Sequence, residues 1–593
     1  MNSIKNTVKN IAWICKPFWK YGKLYIILSV CISAIYTPID DLIYVWFPEI
    51  IINMLNAGRA FSAIAVVAAL ICGASFLNNA VRKLARAYFN KRKAGVEVQA
   101  NQEIYRKAMK LDYRYIDSPE YYDNYAWAVD EYSNQMEAAR QLLIDFFQCV
   151  LSLVVLVSII ATLGPWILLA EILEMFLISR INVLANKMQI REKDGLVPVE
   201  RRLGYFHRLF YMKDYAADVK STPLGEEILA EHRKTGEKKV KVVGSYAWKI
   251  EMLYNCQELV FSVTELIVVL YIVRSIISGR IAEVGMYMTL MLSFYRLDTR
   301  IHNLTFVLSD ANVLSMNVEK IRNFFNMKSE IEVQDEAKAK PETGNFSVEL
   351  KDVGFSYENS EFSLSGLNLK INPGEKIAIV GENGAGKSTF VKLLLRLYDV
   401  KDGEILINGK SIKDYDIHAL RQQIGVAFQN TNIYAMSLAD NISLYGNISE
   451  KSMIETAEKL GLDEVTKKNK TDYNAELTRE FYEDGILLSG GEAQKVALAR
   501  VMSRDFSLLL LDEPSSALDP IAEYKMSEAI LSAANKATTI IIAHRLSTIR
   551  DADKIYVFDH GKIVESGTHD ELMDMGGHYC EMFTKQAENY VRE

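Results

Sequence analysis

The residues best equipped for chemistry lie in the segment GENGAGKST at positions 381–389, which fits the pattern G-x-x-x-x-G-K-[ST]. Gly381, Gly384 and Gly386 let successive backbone N–H groups, that of Asn383 among them, turn toward a phosphate. Lys387 can carry an ammonium to the β and γ phosphates, Ser388 offers an oxygen to Mg2+, and Thr389 adds a second hydroxyl beside the phosphates. This is the chemistry of nucleoside triphosphate binding. A second pair, Asp512 and Glu513, closes the four-leucine run 508–511. Asp512 is suited to hold magnesium, directly or through water, and Glu513 to polarise an attacking water as general base.

Such groups act only if secondary structure places them. Residues 377–380 (IAIV) form a buried-strand run before the glycines, and 390–397 form an apolar-periodic helix after them. Strand, loop and helix therefore come in the order that a phosphate cradle needs. A buried parallel strand at 508–511 would deliver Asp512 and Glu513 to its C-terminal edge, where α/β folds place ligands. An apolar run ending in Asp-Glu is by itself an ordinary solvated strand end; its partnership with the glycine loop gives it meaning.

Between the two lies LSGGE at 488–492, followed by a helical run at 493–502. Here the sequence resembles the ATP-binding-cassette (ABC) transporter family, whose signature is matched by Leu488, Ser489, Gly490 and Gly491. The resemblance implies that Ser489 and the amides of Gly490 and Gly491 cap the γ-phosphate of ATP held by the opposite subunit, so one domain cannot close its own site. It also implies roles for four other places in the chain. Tyr357 would stack on adenine, Gln429 would sense magnesium and the transmembrane contact, residues 516–519 (SALD) would cross the dimer, and His544 would contact the γ-phosphate. Glu513, His544 and Gln429 then form the catalytic set, and Ser388, Gln429 and Asp512 the magnesium set. Residues 479–485 (REFYEDG), with Glu480 and Glu483, resemble the exporter-specific loop before the signature. One position departs from the family: Glu492 stands where glutamine is usual, and a carboxylate pointing at nucleotide there would oppose it.

Composition bounds the rest. Half of the 593 residues are apolar, 24% are charged and only 11 are Pro, which argues against a disordered, collagen-like or turn-rich all-β chain. A net charge of −7 leaves no nucleic-acid footprint, and the six cysteines lack the spacing of a zinc cage or a disulfide framework. Six apolar stretches, at 24–46, 60–78, 142–164, 166–184, 252–273 and 284–304, approach the roughly 20 residues that cross a bilayer. The long links 80–140 and 185–249 carry 11 and 14 Lys and Arg, against three in the short links, Arg59, Arg274 and Arg280. That bias puts the long links and both termini on the cytoplasmic side. The first 23 residues hold five lysines and no acid among aromatic residues, which suits a helix at the headgroups.

The fold expected is multi-domain: an all-α six-helix polytopic transmembrane domain at 1–325, a charged Pro341-bearing linker at 326–345, and an α/β P-loop NTPase cassette with a helical subdomain at 346–593. Resemblance then covers nearly the whole chain, to an exporter-type half-transporter. It implies ATP and Mg2+ as cofactors and a second half-transporter chain, itself or a related subunit, as partner. It also implies a multi-pass place in a bacterial cytoplasmic membrane, with both termini and the cassette inside, and no nucleic acid. Each long link is rich in helix formers and should extend the spans, ending in short coupling helices near 118–124 and 214–220.

The cargo expected is amphipathic, cationic or peptide. Seven acids within the spans, Asp40, Asp41, Asp145, Glu171, Glu174, Glu258 and Glu265, face two bases, Arg180 and Arg296, and suggest an electronegative cavity. The alternative is that acids near span ends are solvated and the others pair with bases. Two other functions fit the same motifs: a regulatory or sensing ATPase that moves no cargo, and an importer on the exporter-type fold.

Overall fold

The structure, a computed structural model, describes residues 2–117, 119–163, 165–278, 284–331, 338–357, 362–446, 448–514, 537–543 and 545–591. The chain divides into two compact units, Met1–Tyr105 with Ala126–Asn326, and Arg106–Tyr125 with Met327–Glu593. The second unit thus contains a piece of the first long link.

The first unit is helical. Two short helices, α1 (Asn2–Ile14) and α2 (Lys16–Tyr21), precede α3 (Lys23–Asn56) and α4 (Phe61–Met109). A four-residue helix, α5 (Arg114–Asp117), which belongs to the second unit, then leads into α6 (Pro119–Leu163) and α7 (Pro165–Tyr211). The short α8 (Lys213–Ser221) separates α7 from α9 (Leu224–Ile277), and α10 (Val284–Asn326) ends the unit. At about 1.5 Å per residue, the 49 residues of α4 and the 54 of α9 far exceed a hydrocarbon core of roughly 30 Å. The long links are therefore extensions of the spans themselves.

By length and composition α3, α4, α6 and α9 are apolar enough to cross a membrane. α7 and α10 have the length but carry charge in mid-helix, Glu171, Glu174 and Arg180 on the one and Arg296, Asp298 and Arg300 on the other. Val45, Leu156, Ile167, Ile272 and Phe294 pack a core among these helices, with the Phe261 and Phe294 rings stacked at 6.0 Å. Leu70, Phe76, Leu173 and Ile277 instead lie exposed, the outward apolar surface of a lipid-solvated bundle.

The acids of the spans fall into separate places, with Glu171, Glu174 and Glu258 gathered about Asp298 and the others apart. Asp41 is fully buried and accepts two hydrogen bonds from Arg300, 3.0 Å from Nε and 2.8 Å from Nη2. Asp40 accepts from the Asn78 amide at 2.6 Å. Glu171 and Glu174 are buried on α7, Asp145 accepts from Gln141, Glu265 bonds the Tyr295 hydroxyl, and Glu258 is exposed.

In the second unit ten strands form two sheets among the described residues. The smaller sheet pairs β1 (Val348–Ser356) antiparallel with β2 (Ser363–Ile371) and with β4 (Asp402–Ile407), and adds β5 (Lys410–Ser411) at its edge. The larger has the order β10-β9-β3-β8-β7-β6, formed by β3 (Lys376–Gly381), β6 (Ile424–Ala427), β7 (Leu508–Asp512), β8 (Thr538–Ile542), β9 (Lys554–Asp559) and β10 (Lys562–Gly567). Its first five members in chain order run parallel and β10 runs antiparallel.

Strand alternation sends Ile377, Ile379, Leu508 and Leu510 to one core and Ala378, Val380, Leu509 and Leu511 to the other. Both faces of β3 and β7 are covered, which is why their sequences are continuously apolar. Five helices complete the part relevant to the site: α11 (Lys387–Leu394), α12 (Ile417–Gln422), α13 (Leu438–Ile442), α14 (Glu450–Lys459) and α15 (Asp463–Asn469). With α16 (Gly490–Met502), α13 to α15 form the helical insertion between β6 and β7.

Candidate nucleotide site

β3 runs parallel between β8 and β9 and stops at Gly381, where the backbone must curl into α11. Gly381, Gly384 and Gly386 all have positive φ, at 151°, 84° and 106°. A Cβ on Gly381 would strike the Phe558 carbonyl, and one on Gly386 the Leu364 side chain, so the loop admits no side chain at either end. Gly386 caps α11 without a side-chain hydrogen bond, which leaves the first amides of the helix open.

Lys387 is 6% exposed, and its ammonium folds back to donate to the carbonyls of Gly381 at 2.8 Å and Glu382 at 2.9 Å. Burial lowers its pKa, and the carboxylates of Glu513 and Asp512 oppose that shift. Ser388 and Asn383 are exposed, whereas Thr389 is buried with its hydroxyl 3.1 Å from that of Tyr357.

The four neighbouring strands β3, β8, β7 and β6 point the same way, so residues following them collect at one edge. Asp512 ends β7 and is 5% exposed. Glu513 follows with φ 51°, a left-handed conformation that a residue with a side chain holds only under constraint. Its N–H donates to the Ile542 carbonyl at 2.9 Å, and its carboxylate accepts from the Gln429 amide at 2.6 Å. An anion-ready loop, a buried ammonium, an exposed serine hydroxyl and two buried carboxylates are of the types that would suit a triphosphate and a hard, oxygen-seeking cation.

The Tyr357 ring lies edge-on to Phe355 at 5.0 Å and to Tyr398 at 5.4 Å, beneath the Lys392 ammonium at 5.5 Å. His544 and residues 516–519 lie outside the described residues. The loop 479–485 is closed by the Thr478 N–H on the Ile486 carbonyl at 2.8 Å, and its Glu480 and Glu483 are exposed.

Ser489 is exposed and caps α16. Glu492 turns back on that cap: one carboxylate oxygen accepts from the Ser489 N–H at 2.7 Å and from its hydroxyl at 2.8 Å, while the serine oxygen accepts from the Glu492 N–H at 3.3 Å. Burial would raise this carboxyl, but the hydrogen bonds from Ser489 outweigh it and hold the group below the ordinary carboxylate value. The S-x-x-E spacing signals this capping box in the sequence, so the departure from glutamine at Glu492 has a structural use.

Sequence reasoning missed a second group. In the first long link Asp117 accepts from the Tyr398 hydroxyl at 2.5 Å and the Lys392 ammonium at 3.2 Å, and the Tyr113 ring meets that of Tyr398 at 5.8 Å. Asp112 nearby accepts from the N–H groups of Glu330 and Ile331, at 3.0 and 3.1 Å, and from the Ser329 hydroxyl. The short helix here is Arg114–Asp117. Of the expected coupling segment 118–124, Ser118 lies outside the described residues and the remainder opens the long helix α6. The second expected segment, 214–220, lies within α8.

Residues 364–516 match the ABC transporter family profile. The chain is 28% identical to the subtilin transport ATP-binding protein of Bacillus subtilis over 98% of its own length and 96% of that protein's. An ATP-dependent lipid A-core flippase of Legionella pneumophila is 40% identical over 248 residues, 42% of this chain and 41% of that protein. The backbone resembles a bacterial Atm1-family ABC exporter solved with ATP bound, at a TM-score of 0.78 and 20% identity, covering 95% of this chain and 98% of the other. Residues 364–516 thus carry the ATP-binding domain of the ABC transporter family, and the chain as a whole has the fold of a solved exporter of that family.

Proposed function

We propose that this ATP-driven exporter works as a pair of half-transporters, this chain with a second copy or a related one, in which each glycine loop is completed by the other chain's signature helix. The observation that carries the reading is the unequal state of two helix starts. α11 presents open amides beside a buried lysine, whereas Ser489 stands exposed on α16 with its side chain bonded to Glu492.

When bound, ATP supplies the phosphoryl bond whose hydrolysis drives transport, and Ser388, Asp512 and Gln429 would hold Mg2+. Lys387 would exchange its two carbonyl partners for phosphate oxygens. Gln429 would steady Glu513 as the base that takes the proton of water, with His544 at the γ-phosphate and Tyr357 on the adenine. Ser489, Gly490 and Gly491 would close the partner's site.

The proposed setting is a bacterial cytoplasmic membrane with the cassette and both termini inside. The proposed cargo is amphipathic and of the peptide class, supported by likeness to the subtilin transport protein over nearly the whole chain. A cationic cargo draws less support, because Arg300 bonds Asp41 and Asn78 bonds Asp40, and only Glu171, Glu174 and Glu258 gather, about Asp298. The test is the dependence of hydrolysis on chain density in nanodiscs. Particles holding two chains should hydrolyse ATP and particles holding one should not, with Glu513→Gln trapping nucleotide in the pair. Full-rate hydrolysis by single chains would overturn the shared site.

A further inference from the structure

A cavity of about 720 Å3 opens between α3, α4, α6 and α10, within the size range of small-molecule sites. One end is apolar, lined by Phe47, Ile71, Met288 and Leu292; the other carries Arg82, Arg296 and Arg300 with Asp40. The seven acids counted in the sequence contribute only Asp40 to this lining, and the basic side is the fuller one.

Which donors remain open decides what fits. Both oxygens of Asp41, just behind the wall, are occupied by Arg300, and Asp40 is bonded by Asn78 with Arg82 4.0 Å away. Among the described residues Arg82 makes one hydrogen bond, to Asn79 at 3.0 Å. Arg296 lies over the Tyr44 ring at 3.8 Å; its buried Nε sits 3.7 Å from Asp41, beyond hydrogen-bond reach, and makes no hydrogen bond among the described residues. A guanidinium at membrane depth with unmet donors calls for an acceptor, and a cationic head would instead add like charge to three arginines. Arginine's planar fork matches the oxygens of carboxylate and phosphate.

We propose that this cavity binds the oxyanion head of an amphiphilic cargo, a carboxylate or phosphate, against Arg296 and Arg82, with its apolar body toward Phe47 and Met288. The cargo role rests on the exporter reading; the binding does not.

The test uses the full chain in nanodiscs of zwitterionic lipid, without ATP, and follows the fluorescence of dansyl-labelled undecanoate, its methyl ester and its amine-headed analogue. The carboxylate should bind at least about tenfold more tightly than the ester, the weight of one charge-assisted hydrogen bond. Arg296→Gln should remove that preference and Arg296→Lys should keep part of it. Arg180→Gln, at an exposed residue over Phe176 outside the cavity, should leave binding unchanged. Equal binding of acid and ester, tighter binding of the amine, or an unaltered Arg296→Gln would overturn the proposal. Displacement of the probe by anionic phospholipid would assign the site to a resident lipid and overturn its role for cargo. A chain that binds the acid yet moves nothing in sealed vesicles would sink the exporter reading and leave this site standing.

Discussion

Two helices of the cassette begin at places built to meet phosphate, and they begin differently. α11 starts from a left-handed glycine with no side chain over its amides and a buried lysine behind them. α16 starts from a serine whose hydroxyl and N–H are both held by its own Glu492. The first is organised before any ligand arrives. The second satisfies itself, so an incoming phosphate must compete with a carboxylate for the same serine. The contrast suggests that loading the glycine loop and closing the signature over it are separate events with separate barriers.

The sharpest way to break this contrast is to remove the charge behind α11. Lys387→Met should lower ATP hydrolysis by about 100-fold or more, since a preorganised cation on developing phosphate charge is worth several kcal/mol. Its melting temperature should hold or rise, because a buried ammonium is exchanged for an apolar side chain of similar length. The pH profile of unfolding gives an independent check. Burial holds Lys387 below its unfolded value of 10.5, so the unfolded chain binds the extra proton more readily. The wild type should gain stability as pH rises toward that value, and Lys387→Met should lose that increment.

Next in size is Glu492→Gln, which removes a charge but keeps the reach of the side chain. With the competing carboxylate gone, the KM for ATP should fall by about three- to tenfold; an unchanged KM would show that the capped serine does not resist closure. Asp117→Asn should act at a distance. By loosening Lys392 and Tyr398 it removes support from the Tyr357 ring, and the KM for ATP should rise about two- to fivefold with kcat little altered. A fall in kcat alone would place Asp117 outside nucleotide binding. Smallest is Ser489→Ala, which should lower stability by about 1 kcal/mol through loss of the helix cap, read as a shift of a few degrees in the melting of the cassette.

How far the sequence carried these conclusions varied with the range of the interaction. Gly381 to Ser388 announced loop and helix together, because local backbone demands fix both, and Leu508 to Leu511 announced a strand covered on two faces. The ends of the spans were not legible, since α4 continues as helix well after its apolar stretch stops and α9 begins well before its own. Asp117 was invisible for another reason: it meets Lys392 and Tyr398 across more than two hundred residues of chain, and no local pattern encodes such a meeting. The short helix expected near 118–124 is not separate there among the described residues, because Pro119, favoured at the first position of a helix, opens the long α6. Charge in α7 and α10 was read as a sum, whereas its meaning lay in partners such as Asp41 and Arg300.

That last pair bears on how the protein is made. α10 carries Arg296, Asp298 and Arg300 within one turn and a half, and a translocon would receive it as a poor substrate for lateral release into lipid. Asp41 waits on the first long helix, synthesised some two hundred and fifty residues earlier, with both oxygens positioned for Arg300. Biogenesis therefore has an order: the final span can settle only after the first is resident, and a nascent chain bearing Asp41→Ala should stall with its last segment unglued, recognised by membrane quality control before the cassette is ever assembled.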